Sequence, residues 1–169
     1  KIQTTIELLN TYINCQSTEN YTIMLETQLD LIKFLDQKIL FPVHQDLKSN
    51  IAKIKANKSK KEVDNGMRWA TYAVQFFVTF VLYFVSSDME PKQALLDAYK
   101  EILNPHHNSI IRAVFISAFK LLPTQREQFY KNLQLQPGQE TIEKFTLVKS
   151  TVDAAAQFAL KGTLVTETE

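Results

Sequence analysis

Asp46, Asn50 and Lys53 stand at i, i+4 and i+7. At about 100° per residue they share one narrow stripe of a helix. An acid, an amide and an ammonium on one stripe offer the acceptors and donors that a poly-hydroxylated ligand needs. Val43, Leu47, Ile51 and Ile54 gather on a separate stripe, roughly a quarter-turn round the same wheel, so the polar set stands beside an apolar wall. On spacing alone, a solvated polar face is the commoner outcome of such a pattern. Two other residues bear on the choice. Trp69 is the sole Trp; such a residue is commonly a core edge, and it is also the best face on which to stack a sugar ring or a cation. His107 follows Pro105 near a helix start. It reads either as a surface His or as a neutral imidazole donating to a buried carbonyl.

Other chemistries find no support. There is no Gly-rich phosphate loop, no paired-Cys metal site and no His-Glu-x-x-His run. His106 and His107 are adjacent, point about 100° apart on a helix, and make a poor chelate. Cys15 is the single cysteine and reads as a structural thiol, so no internal disulfide is expected and a reducing, cytoplasmic compartment is the default. No nucleophile, base and oxyanion donor assemble, which leaves an enzyme a weak hypothesis with neither cofactor nor metal expected. A net charge of +1 gives no broad basic field for nucleic acid.

The elements that must position these residues are helices. Three Gly and five Pro in 169 residues are too few for a turn-rich sheet protein, and the length suits one domain over residues 1–169. Ile2 to Asn14 has helical spacing, with Glu7 and polar residues that argue against a signal peptide. Ser17 or Thr18 caps a second helix reaching about Asp36, with Tyr21, Leu25, Leu29, Ile32 and Leu35 on one face. Pro42 fits the first turn of the helix that carries the polar stripe to Ala56. Asn57 to Asn65 reads as a lysine-rich connector, and Gly66 precedes an aromatic helix from Met67 to about Val85. Its apolar run, Ala70 to Val85, falls short of the ~20 residues a membrane span needs, so a buried core helix is expected. Ser87 or Asp88 caps the next helix, which ends near Leu103. His106-His107-Asn108 opens another, with Ile110, Ile111, Val114, Phe115, Ala118 and Phe119 as its buried side and Pro123 at its close. Thr124 caps a short helix to Leu133, Thr141 to Leu160 is a last amphipathic helix, and the tail from Thr163 is polar. The fold class is all-α.

The run Phe41-Pro42-Val43-x-x-Asp46-x-x-x-Asn50-Ile51-x-Lys53-Ile54-Lys55-Ala56 closely resembles the head-group helix of the glycolipid transfer proteins. The aromatic helix from Trp69, the Ala98-Tyr99 segment running to His107, and a helix ending in Leu122-Pro123 follow in the family's order. The resemblance implies a two-layer helical sandwich that carries one sphingolipid of the glycosylceramide type between membranes, as a monomer in transient peripheral contact with the bilayer. It implies that Asp46 bonds the ceramide amide and sugar hydroxyls, Asn50 and Lys53 bind the sugar, Trp69 stacks on it, and His107 bonds the amide carbonyl. Phe34, Phe76, Phe80, Phe84, Phe115, Phe119 and Phe158 are candidates for the acyl-chain sleeve, and Ile39, Leu40 and Phe41 for membrane insertion.

Three departures from the family pattern stand out. Only 15 residues, 54–68, separate Lys53 from Trp69, where the family usually fits another helix. Ser109 replaces a Trp that often follows the family's His by two residues. Arg68 sits beside Trp69, and the branch that carries ceramide-1-phosphate uses arginines here, usually with a Lys in place of the Asn. Arg68 thus keeps a phosphate ligand as the alternative, and a ligand-free helical interaction domain is the second competitor.

Overall fold

The computed structural model describes residues 19, 21–23, 25, 26, 29, 41–120, 125–133 and 135–164, apart from the side chains of Phe41, Pro42, Asn132, Phe158 and 162–164. Six α-helices are set out in full: α1 (Phe41–Ala56), α2 (Lys60–Ser86), α3 (Pro91–Ile102), α4 (Ser109–Phe119), α5 (Arg126–Leu133) and α6 (Gln139–Leu164). A single 3-10 turn, Asn104–His106, links α3 to α4, and no strand occurs among the described residues. The expected first helix, the Ser17 or Thr18 cap, Phe34, Ile39, Leu40, the Pro123 stop, the Thr124 cap and residues 165–169 of the tail lie outside the described residues, as do the side chains of Phe41 and Phe158.

α2 is the axis, with α1, α3 and α6 all packed against it. Its residues explain this. Phe76, Phe77, Phe80 and Phe84, with Ala70, Ala73, Val74, Val78 and Val81, are buried and cover most of the helix circumference. Each fully buried Phe contributes roughly 1.5–3 kcal/mol. α2 is long and apolar enough to cross a membrane, but 67% of its apolar window is buried within the protein, as befits a core helix. Tyr21 joins the core with its hydroxyl bonded to that of Thr71, and Gln75 Nε2 donates to Asp153 Oδ1 at 3.1 Å, tying α2 to α6. Arg126 of α5 clasps the C-terminal end of α2. Its guanidinium lies 4.5 Å from the Phe84 ring centroid and donates to the carbonyls of Phe84, at 2.9 Å, and Met89. These bonds satisfy carbonyls at and beyond the helix end and set a cation at its negative pole.

Several boundaries differ from the sequence reading. The lysine-rich segment is not a connector as far as Asn65. The link is only residues 57–59, with Asn57 turning the chain at φ 45°, and α2 begins at Lys60. Ser59 caps it, its Oγ accepting from the Glu62 amide at 3.3 Å, a Ser-x-x-Glu start that outweighs the polar composition. Gly66 therefore lies inside the helix and not before it. Ser87 closes α2 instead of opening α3, where Glu90 is the N-cap and Pro91 the first residue. Asn108 caps α4, its Oδ1 accepting from the Ile111 amide at 3.0 Å. The apolar face expected to be buried on α4 is largely open: Ile110 is 75% exposed and Val114 55%, while Phe119 is buried. α6 runs from Gln139 to Leu164, longer at both ends than expected.

Candidate functional site

The stripe forms as the spacing requires. Asn50 is buried, whereas Asp46 and Lys53 are exposed, although the Asp46 carboxyl is partly desolvated by its surroundings. Lys53 Nζ donates to Asn50 Oδ1 at 3.2 Å, and Asn50 Nδ2 donates to Asp46 Oδ2 at 3.0 Å. The three are one chain of bonds, in which Lys53 orients the amide and the amide orients the carboxylate. Val43, Leu47, Ile51 and Ile54 are buried beside them.

Gly66 brings α2 against this stripe. A Cβ there would meet the Asn50 backbone oxygen at 2.9 Å and Ile54 Cγ1 at 3.0 Å, so glycine permits a contact that no other residue fits without a shift. With the short link at 57–59, the contact sets α1 and α2 side by side with opposed directions. Asn65, Trp69 and Ala73, successive turns of one α2 face, then run past Lys53, Asn50, Asp46 and Val43 in that order.

The third wall comes from the α3–α4 junction. Arg112 Nε donates to the Asn104 carbonyl at 3.1 Å, which pins the 3-10 turn. Beyond it, extended backbone at His107 sends the two histidines to different places. His106 stacks on Tyr72, with centroids 4.0 Å apart. His107 is buried, stacks on Trp69 at 5.4 Å and 24°, and places Nδ1 3.1 Å from the Tyr99 hydroxyl. Burial, then the charges of His106 and Arg112, hold the His107 imidazole below its ordinary 6.5, so it is neutral at pH 7. A Tyr99 hydroxyl donating to Nδ1 leaves the proton on Nε2, the nitrogen that remains for a ligand. Burial pushes the Asp46 carboxyl up, and Lys53 and the Asn50 amide pull it back.

Asp46, Asn50, Lys53, Trp69 and His107 all line one cleft of about 260 Å³, together with Val43, Asn65, Ala73, Leu103, Ile111 and Phe115. It grades from Ala73, Leu103, Ile111 and Phe115 at one end to Lys53 and Asn65 at the other. Arg68 does not line it; its charge is felt instead at His106, whose imidazole burial already holds low. Among the described side chains of the phenylalanines expected around acyl chains, only Phe115 lines the cleft. Phe76, Phe80, Phe84 and Phe119 are buried in two aromatic groups, one with Phe76 on Phe119 at 6.3 Å and the other with Phe80 on Phe84 at 6.5 Å. Sequence reasoning missed Asn65 and Tyr99. Asn65 was legible as the residue four before Trp69 once α2 is extended backwards; Tyr99 carried no signal beyond its place in the aromatic core.

The glycolipid transfer protein family model matches residues 53–135, from the last turn of α1 to just beyond α5 and including Lys53, Trp69 and His107. Over that segment the chain is similar to the glycolipid transfer proteins. Its fold is that of solved members. A fungal glycolipid transfer protein superposes with a TM-score of 0.73 at 20% identity, covering 89% of this chain and 86% of that one. The mouse ceramide-1-phosphate transfer protein, in its apo form, gives 0.78 at 11% identity, covering 95% and 94%. The human ceramide-1-phosphate transfer protein, in complex with 12:0 ceramide-1-phosphate, gives 0.66 at 13% identity, covering 92% and 93%. No curated protein sequence matches the chain.

Proposed function

We propose that this protein is a carrier that binds one sphingolipid with a sugar head group and moves it between membranes. The observation that carries the reading is the convergence of Asp46, Asn50, Lys53, Trp69 and His107 on a single cleft that turns apolar at its other end. In this reading Asp46 accepts from the ceramide amide and a sugar hydroxyl, Asn50 and Lys53 bond further hydroxyls, and Trp69 lies against the ring. His107 donates from Nε2 to the amide carbonyl. No covalent step is needed. A cleft of about 260 Å³ holds a head group and little more. The acyl chain and the sphingoid chain would enter past Phe115, by parting the aromatic side chains behind it. Withdrawing each CH₂ from water is worth ~0.8 kcal/mol, which offsets the disruption over a long chain.

Ile110, Ile111 and Val114 give α4 an exposed apolar strip, and Ile111 also borders the cleft. This strip supports a transient contact with the bilayer at the cleft mouth, made by a cytoplasmic monomer. Ceramide-1-phosphate is the second reading, favoured by the cations of Arg68 and Arg112, whose charges act on His106 and His107 respectively. Asn50 and Trp69, in place of further cations, weigh against it. The test is native mass spectrometry of the purified protein, followed by solvent extraction. A bound glycosylceramide is expected. A lipid-free protein that takes up no sphingolipid from vesicles would leave only the interaction-domain reading.

A further inference from the structure

Resting on that reading, we infer that Asn65 forms the outer end of the head-group site and hydrogen-bonds a second sugar ring. Asn65 lines the cleft beside Lys53, one turn of α2 before Trp69. Four residues of helix advance about 6 Å, roughly the width of one hexose. A first ring held against Trp69 by Asp46 and Asn50 therefore leaves Asn65 level with the next ring outward, on the side away from Phe115. The other polar groups of the stripe are bonded to one another: Lys53 to Asn50, and Asn50 to Asp46. The exposed Asn65 amide has no hydrogen-bond partner among the described residues. It offers two donors and an acceptor to hydroxyls that arrive beside it. A phosphate has nothing to extend that far, and an unmodified ceramide ends in a single hydroxyl. The chemistry at this end therefore favours a two-sugar ceramide over a one-sugar one.

The experiment measures Trp69 fluorescence on titration with phosphatidylcholine vesicles containing either a monohexosylceramide or a dihexosylceramide, for the native chain and for Asn65→Leu. Leucine is a better helix former than asparagine, so the variant should fold. Losing the amide should weaken dihexosylceramide binding roughly three- to tenfold, as for one or two neutral hydrogen bonds, with monohexosylceramide changed less than about twofold. Equal weakening of both ligands, or no change in either, overturns the second-ring assignment while leaving the carrier reading in place. A native chain that binds neither glycolipid overturns the carrier reading and this inference with it.

Discussion

Asp46 is held between two demands, and its titration makes them measurable. Burial pushes its carboxyl above the ordinary value of 3.8, and the opposing pull of Lys53 and Asn50 is smaller. A carboxyl that holds its proton more tightly when folded adds stability at low pH. That stability is fully present below the unfolded pKa and is lost as pH rises through the raised native value. At pH 7 the ionised Asp46 therefore subtracts from stability, a strain consistent with a group kept for its ligand. Asp46→Asn should leave the thermal midpoint at pH 7 unchanged or higher, and that advantage should shrink towards pH 3. Glycosylceramide transfer by the same variant should fall at least ~10-fold, since a hydrogen bond to a charged group is worth ~1.5–3 kcal/mol. A variant that is clearly less stable at pH 7 and still transfers would reverse the account. Asp46, Asn50 and Lys53 were legible in the sequence because helical period alone puts them on one stripe. Trp69 and His107 were legible only through order along the chain, since no periodicity links three separate elements. The Tyr99–His107 bond was not legible, because it joins residues across a turn whose path the sequence does not specify.

At the level of elements, the decisive contact is between Gly66 and α1. Composition pointed the other way: a polar, lysine-rich run ending in glycine is an ordinary signal for a loop. The Ser59–Glu62 cap starts the helix earlier, and Gly66 becomes a close crossing inside it. Gly66→Ala sets two effects against each other. Alanine gains up to ~1 kcal/mol in helix propensity. Its methyl, however, meets a backbone oxygen at 2.9 Å, and overpacking of this kind costs ~1–3 kcal/mol. The clash involves backbone, which yields little, so net destabilisation of up to ~2 kcal/mol is expected in urea unfolding followed through Trp69. Head-group affinity should fall as well, because α2 can relieve the clash only by moving Asn65 and Trp69 away from the stripe. Unaltered stability and affinity would mean that the α1–α2 spacing does not set the cleft.

For the molecule as a whole, the all-helical class and the central place of α2 followed from scarce glycine and an aromatic run too apolar to stand at a surface. The exposure of α4 did not follow. Its 3.6-residue period marks an apolar face but says nothing of what covers that face, and Ile110 and Val114 are left open where a protein core was expected. Nor did the period show which rings meet, Phe76 on Phe119 and Phe80 on Phe84. The most direct measurement is a competition between monohexosylceramide and ceramide-1-phosphate in one vesicle transfer assay, run on the native chain and on Arg68→Leu. The account predicts that the native chain moves the sugar lipid preferentially and that Arg68→Leu keeps that preference. Preferential transfer of ceramide-1-phosphate, lost on Arg68→Leu, would contradict it.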